Sequence, residues 1–183
     1  MILQEILHPS CMVPMERPRH PQHVPMEFMI NHSINNGFGT FSTPPLDALF
    51  NQSNFEIDFD FKTNIIPAGA SFPMPVLTLG PLFRTIGVCI SQSGAMGIIY
   101  NNSQYLFSTS IITTGQSYAV SLQYLAPSYK LFLNNIEVLS GTLPALQFAV
   151  PPFFNDIKLY AANGSNGQGF NVCINKLKVY SCP

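Results

Sequence analysis

Residues 55–63 contain the pattern that most constrains the fold of this chain. Four apolar residues, Phe55, Ile57, Phe59 and Phe61, occupy every second position, and Glu, Asp, Asp and Lys stand between them. Successive side chains of a β-strand point to opposite faces, so this spacing places the apolar set on one face and the charged set on the other. A helix would scatter the same residues around its circumference. The segment is therefore predicted to be a half-buried β-strand.

Shorter apolar segments of the same kind follow along the chain, separated by Gly, Pro, Asn and Ser. The further predicted strands are 28–30, 76–79, 83–91, 96–100, 105–112, 118–125, 129–133, 136–139, 155–161 and 170–180. Between 105 and 139 a turn signal recurs every 8 to 10 residues, which is typical of an all-β sandwich or barrel. The longest helical element that we expect is one turn at 46–50, after two prolines.

The first 27 residues differ from the rest of the chain. Prolines at positions 9, 14, 18, 21 and 25 exclude a helix and favour an extended or polyproline conformation. A segment of this kind has no fold of its own, and its apolar side chains need a surface to lie on. These side chains are Met12, Val13, Met15, Val24 and Met26. We therefore divide the chain into an extended arm, 1–27, and one domain, 28–183, a length that fits a single domain.

The composition limits the classes of partner. Charged residues make up only 9% of the 183 residues, against roughly 25% in an average soluble domain. The net charge is −1 with eight Lys and Arg residues, too few for a basic surface that neutralises phosphates, so we do not expect a nucleic-acid partner. No apolar run approaches the roughly 18 to 20 residues of a membrane-spanning helix. Residues 1–7 lack a basic signal-peptide region, so the chain is either cytoplasmic or has had a signal removed.

Four Asn-X-Ser sequences, beginning at Asn31, Asn51, Asn101 and Asn163, are candidate N-glycosylation sites. All four fall at predicted turns or loops, where a glycan could be attached. Some such sequences arise by chance in a chain rich in Asn and Ser. Attached glycans would compensate for the scarcity of surface charge, and they would place the protein outside the cytosol.

The four cysteines have the spacing of neither a zinc ribbon nor a thioredoxin-type pair. If residues 171–181 form one strand, Cys173 and Cys182 lie about 30 Å apart and cannot pair with each other. One alternative is a cross-strand disulfide between Cys89 and Cys173, which leaves Cys182 to pair with Cys11. The other is four buried free thiols.

Four segments follow one family pattern in the right order, although the family usually carries a Tyr/Phe-Val-Asp/Asn-Gly turn where the third segment stands. They are F-x-I-x-F-x-F-K-T at Phe55–Thr63, G-Q-S-Y-x-V-x-L at Gly115–Leu122, K-L-F-L-N-N at Lys130–Asn135, and F-x-V-x-I-x-x-L-K-V-Y-S at Phe170–Ser181. The order resembles the laminin G-like branch of the concanavalin A-like jelly rolls, over about residues 38–181. The resemblance implies an antiparallel jelly-roll β-sandwich in a group of binding and assembly modules for glycans, proteins or matrix.

The resemblance also bears on metal binding. The calcium site of that group uses acidic residues on rim loops, whereas the loops here are nearly free of acid, with Asp156 as the exception. We therefore expect no calcium, no other metal and no cofactor.

Glu56, Asp58 and Asp60 resemble the Glu-x-Asp-x-Glu strand of the laminarinase and xyloglucan-transglycosylase glycosidases. In those jelly rolls the first carboxyl is the nucleophile and the last the general acid/base. Residues 56 and 60 of one strand are about 13 Å apart at Cα, whereas a retaining pair of carboxyl groups needs roughly 5 to 5.5 Å. Asp60 is one methylene shorter than the Glu of those enzymes, and the chain contains no Trp for a sugar platform. We interpret the three acids as the solvated face of an amphipathic strand and assign no catalytic residue.

Two further motifs have simple interpretations. His8, His20, His23 and His32 lie in or beside the arm, away from any nucleophile motif, and we interpret them as polar residues of an extended segment. The glycine-rich segment 163–169 joins two predicted strands, and it lacks the following helix whose N-terminus would bind phosphate.

Together these features favour a non-enzymatic, extracellular or surface structural subunit. Its arm would pack on a neighbouring subunit, or donate a strand to it, in a homo-oligomer or filament. The first alternative is a carbohydrate-binding lectin domain whose rim loops, 101–104 and 163–169, offer Asn, Gln and Tyr to sugar hydroxyls. The second alternative is a virion-associated jelly-roll protein, which would share the arm and the low charge.

Overall fold

The computed structural model describes residues 41–42, 52–63, 66, 73–80, 85–101, 104–146, 158–161 and 172–181. These ranges contain eleven strands: β1 Phe41–Ser42, β2 Asn54–Thr63, β3 Met74–Gly80, β4 Ile86–Ile90, β5 Ala95–Tyr100, β6 Gln104–Ile111, β7 Ser117–Leu125, β8 Ser128–Leu133, β9 Ile136–Thr142, β10 Lys158–Ala161 and β11 Val172–Ser181. Nowhere in these ranges is there a helix long and apolar enough to cross a membrane.

The strands form two antiparallel sheets. The order is β1-β10-β3-β4-β5-β6 in the six-stranded sheet and β11-β2-β7-β8-β9 in the five-stranded sheet. β2, the strand with the strict alternation, lies inside the second sheet between β11 and β7. Each of its long edges is therefore paired, and β11, the last strand of the sequence, returns to lie beside it. The predicted all-β, antiparallel jelly-roll β-sandwich is confirmed.

The core lies between the two sheets. Phe55, Ile57, Phe59 and Phe61 of β2 are each at most 2% exposed, as their spacing predicts. The six-stranded sheet faces them with Val76, Leu77, Leu79, Ile86, Val88, Ile90, Met96 and Ile98, and all of these side chains belong to one buried cluster. Burial of one such side chain contributes about 1.5 to 3 kcal/mol, so this layer is the main stabilising feature of the fold.

The middle of the six-stranded sheet is also buried on the face that points away from the core. All five residues of β4 are buried, and Cys89 and Ile99, on the face away from the core, are both 0% exposed. Gly97 permits a close contact on this face, because a Cβ there would lie 2.5 Å from Cδ1 of the Phe107 ring. The polar face of the sandwich is therefore found on the other sheet.

Most predicted turns of the β6–β9 meander are confirmed. Asn134 and Asn135 have φ values of 51° and 64°, the conformation that a two-residue hairpin turn requires. The turn before β8 lies at residues 126–127, one position earlier than predicted, because pairing with β7 already begins at Ser128. β9 extends to Thr142, beyond the predicted end at 139, because it stays paired with β8 to that point.

Several predictions fall outside the described residues. They are the arm 1–27, the entry strand 28–30, the helical turn 46–50 and the glycine-rich segment 163–169. The division of the chain into arm and domain stays a prediction.

Candidate functional site

The outer face of the five-stranded sheet carries the acidic side chains of β2. Directly opposed residues of antiparallel strands share a face, so the register aligns these acids with polar residues of the neighbouring strands. One row contains Tyr180, Glu56, Gln123, Lys130 and Ser140, and the next contains Lys178, Asp58, Ser121, Phe132 and Glu137. The two rows cross all five strands of the sheet.

Glu56 is the most buried acid of this face, at 4% exposed. Its Oε1 accepts a hydrogen bond from Ser121 Oγ at 2.7 Å and another from Gln123 Nε2 at 3.1 Å. Its Oε2 is also buried and receives a hydrogen bond from no donor among the described residues. A buried acceptor without a donor costs free energy. The Glu56 carboxyl is therefore oriented by β7 through one oxygen, and its other oxygen is shielded from solvent.

Burial raises the pKa of Glu56 to about 8, and the negative charge of Asp58 adds to the rise. A hydrogen bond between the two carboxyl groups acts in the same direction, whereas the bonds from Ser121 and Gln123 lower the pKa. At neutral pH Glu56 is therefore mostly protonated. The strand then presents a neutral carboxyl group next to an ionised one, so the pair offers both a hydrogen-bond donor and acceptors.

A bulge in β11 supplies a cation to the same face. The register shifts by one residue between Asn175 and Lys178, and Lys176 within it has a φ of 51°. The Lys176 Nζ lies 2.8 Å from Asp60 Oδ2, and this contact raises the pKa of Lys176. Bulges commonly redirect a side chain in this way. The ion pair neutralises the third acid of β2.

These side chains border an open cleft of about 550 Å³ on the outer face of the sheet. Its lining consists of Glu56, Asp58, Phe59, Asp60, Ala119, Val120, Ser121, Gln123, Phe132, Asn135, Lys176 and Lys178. Phe132 is half-buried on β8 and is the aromatic side chain that the second row brings beside Ser121. The cleft therefore combines carboxyl, amide, hydroxyl and ammonium groups with the Phe132 ring.

The β8–β9 turn is fixed to β7, and this contact places Asn135 at the cleft. The backbone N–H of Asn134 donates to Ala119 O at 2.7 Å, and the Ala119 N–H donates to Asn134 Oδ1 at 2.9 Å. Two reciprocal hydrogen bonds thus hold the turn against the neighbouring strand. The adjacent Asn135 is presented at the edge of the cleft by a rigid turn.

A second ion pair of this sheet lies outside the cleft. Lys130 Nζ is 3.0 Å from Glu137 Oε2, and contacts with Ser140 and Lys130 lower the pKa of Glu137. Neither residue lines the cleft. This pair is a useful comparison for Lys176 and Asp60, because both are solvent-exposed ion pairs of the same sheet.

The three acids that the sequence pointed to, Glu56, Asp58 and Asp60, all line the cleft. Their interpretation as one solvated face is wrong for Glu56, because the row formed with Tyr180 and Gln123 buries it. Among the described residues no group of three or more His, Cys, Asp or Glu side chains could hold a metal ion.

Other candidate residues are placed in part. Asn101 lies in the turn after β5, where its Nδ2 donates to Ala145 O at 3.3 Å. Asn31, Asn51 and Asn163 lie outside the described residues, so glycosylation stays a prediction. The apolar arm residues at 12, 13, 15, 24 and 26 lie outside them too.

The cysteine prediction assumed neighbouring strands. Cys89 lies on β4 in the six-stranded sheet, whereas Cys173 lies on β11 in the five-stranded sheet, opposite Lys62. The two cysteines are therefore not cross-strand partners, and a bond between them would have to join the two sheets. Cys11 and Cys182 lie outside the described residues, so both pairings stay predictions.

The cleft residues of β7, β8, the β8–β9 turn and β11 were not identified from the sequence. These are Ser121, Gln123, Phe132, Asn135, Lys176 and Lys178. Each occupies a polar or outward position of a predicted strand or turn, but only the register of the sheet brings them to the acids of β2. The change of apolar parity from Ile174 to Leu177 was the one local signal of the bulge.

No family model matches the chain, and no curated protein sequence does. Solved structures do match. The Trypanosoma rangeli sialidase has a TM-score of 0.60 and 13% identity, with 82% of this chain and 25% of the sialidase covered. The Ruminococcus gnavus IT-sialidase CBM40, bound to α2,3-sialyllactose, has a TM-score of 0.57 and 16% identity, with 85% of this chain and 90% of the module covered.

The chain thus spans about a quarter of the sialidase and nearly all of the CBM40 module. At these identities the likeness concerns the fold alone. The chain has a β-sandwich of the kind found in sialidases and in CBM40 modules, and membership of the laminin G-like branch stays a prediction.

Proposed function

We propose that this chain is a non-catalytic carbohydrate-binding module and that its ligand lies in the cleft of the five-stranded sheet. The observation that carries the proposal is the cleft lining, where the carboxyl groups of Glu56 and Asp58, the Asn135 amide and the Phe132 ring lie together.

The other cleft groups suit a sugar. A pyranose has hydroxyl groups that both donate and accept, and it has an apolar face of C–H groups. Asp58 and Asn135 would bond to hydroxyls, and the half-buried Phe132 ring would contact the apolar face. The fold supports the same choice, because the CBM40 module that it resembles is described in complex with a trisaccharide, α2,3-sialyllactose.

We expect the cleft to bind an oligosaccharide without cleaving its glycosidic bonds. Asp60, the residue in the position of a second catalytic carboxyl, is committed to Lys176 at 2.8 Å. A bound oligosaccharide should therefore be recovered intact after prolonged incubation with the protein. Release of reducing ends would contradict this part of the proposal.

A glycan array probed with the full chain, followed by calorimetry on the glycans that it retains, tests the proposed function. Phe132→Ala should weaken binding at least about fivefold, because an aromatic contact at the centre of a sugar site contributes on the order of 1 kcal/mol or more. Ile136→Ala is the matched control, since Ile136 is an apolar residue of the adjacent strand, 68% exposed and outside the cleft. Retention of no glycan, or equal affinities of Phe132→Ala and the wild type, would refute the proposal.

The structural-subunit hypothesis remains the second candidate, and an extracellular or surface location with glycosylation is proposed with either function. The arm on which the structural-subunit hypothesis depends lies outside the described residues. Light scattering of the full chain and of a chain without residues 1–27 would test it. Oligomers that dissociate on deletion would favour a subunit, whereas a monomer in both cases would exclude assembly through the arm.

A further inference from the structure

We infer that the cleft selects uncharged glycans and rejects those with a carboxylate, such as sialylated ones. This inference rests on the proposed function and concerns the class of sugar that the same site takes. It would distinguish this chain from the CBM40 module of similar fold, whose structure contains a sialylated sugar.

The lysines of the cleft lie beside acids of β2. A carboxylate ligand needs a positive charge or several N–H donors that are not already engaged. Lys176 lies 2.8 Å from Asp60, and Lys178 stands directly opposite Asp58 in the register of β11 and β2. Each lysine that lines the cleft therefore has an acid of β2 beside it, and an anionic ligand would have to compete with these acids.

The acids of the cleft balance its lysines. Asp58 and Asp60 line the same cleft as Lys176 and Lys178, and Glu56 is mostly protonated at neutral pH, so the lining has no net positive charge. A ligand carboxylate would therefore gain no net electrostatic attraction there, and it would lose part of its hydration on binding.

Glu56 and Asp58 also disfavour an anion. Burial and the Asp58 charge raise the pKa of Glu56, which shows that a second negative charge beside Asp58 is unfavourable. A sugar hydroxyl adds no charge and can donate a hydrogen bond to a carboxylate, whereas a ligand carboxylate has no hydrogen to donate.

Pairs of glycans that share a neutral core, with and without a terminal sialic acid or uronic acid, test the inference. Arrayed glucose, mannose and galactose oligosaccharides and their acidic counterparts are the probes. The wild-type chain should bind the neutral member of the preferred pair at least about tenfold more tightly. Tighter binding of the acidic member would overturn the inference and leave the proposed function standing. Retention of neither class would overturn both.

Asp60→Asn is the decisive variant, because it removes the acid that occupies Lys176. The ratio of neutral to acidic binding should fall at least about fivefold, through a gain of acidic binding. Glu137→Gln is the matched control: it removes one negative charge from an ion pair on the same sheet, at 40% exposure against 35% for Asp60. An unchanged ratio in Asp60→Asn, or an equal change in Glu137→Gln, would refute the role of the paired lysine.

Discussion

Ser121 stands opposite Asp58 in the register of β2 and β7, yet its hydroxyl donates to Glu56, 2.7 Å away on the diagonal. Gln123, the direct partner of Glu56, donates to the same oxygen. Both donors of β7 thus converge on one oxygen of the more buried acid. This asymmetry makes two carboxyl groups, two residues apart on one strand, differ in hydrogen bonding and in charge.

The stability of the protein should fall as the pH rises. The pKa of Glu56 is about 8 in the folded chain, against 4.5 when unperturbed, so between these values the folded state holds a proton that the unfolded state has released. The stabilisation by the Glu56 proton is complete below about pH 4.5. Between about pH 4.5 and pH 8 it decreases by at most about 1.4 kcal/mol per pH unit. Urea denaturation at several pH values would measure this slope.

Glu56→Gln should abolish most of that slope. The amide reproduces the neutral acid: its oxygen can accept from Ser121 and Gln123, and its NH₂ can donate to Asp58. The variant should match the wild type near pH 5 and exceed it in free energy of unfolding near pH 8. If wild type and variant show parallel pH profiles, Glu56 is not the group that titrates.

Gly97→Ala should destabilise the six-stranded sheet by about 3 kcal/mol, the upper range of overpacking. The new Cβ would lie 2.3 Å from Leu106 O and 2.5 Å from the Phe107 ring, so both the edge strand and the ring must move. Gly141→Ala is the control, because its Cβ would meet only the Tyr129 ring, at 3.2 Å. Thermal unfolding should rank Gly97→Ala well below Gly141→Ala, and the reverse order would contradict the packing described for β5 and β6.

The two asparagines of the β8–β9 turn should separate stability from binding. Asn134→Gly keeps the positive φ without strain but removes the hydrogen bond from Ala119 N–H, and it should cost about 1 kcal/mol of stability. Asn135→Gly also suits its φ of 64° and removes only the amide that lines the cleft. It should keep its melting temperature and lose glycan affinity. Calorimetry and thermal unfolding on both variants would check the pair, and loss of stability in Asn135→Gly with unchanged affinity would contradict it.

Deletion of single residues in β11 should have opposite outcomes on either side of the bulge. Without Lys176, Ile174 and Leu177 would alternate regularly with Asn175, and the core side chains would keep their places. Without Leu177, Lys176 would take a core position that is now 2% exposed, and burial of an unpaired ammonium is prohibitive. We expect a folded deletion variant at 176 and an unfolded one at 177, as judged by circular dichroism and thermal melting.

The fold was largely predictable because alternation is a local signal. Phe55 to Phe61 defined β2, and the Asn134-Asn135 pair defined a turn, each without knowledge of the partner strand. The cleft was not predictable in the same way. That Gln123 and Ser121 lie against Glu56 depends on register across strands more than 60 residues apart in sequence, and the burial of Glu56 follows from the same packing. The acids were found from the sequence, but their environment was not.

Position 176 affects how the sequence of this protein can change during evolution. Lys176 is the extra residue of the bulge between β11 and β2. Gain or loss of one codon at this position would therefore change the charge of the cleft and leave the hydrophobic layer intact. The other cleft residues of β2 and β7 occupy paired positions, where an insertion or deletion would shift a whole strand. Length variation at this single site is therefore a route by which related chains could diverge in ligand preference while they retain one architecture.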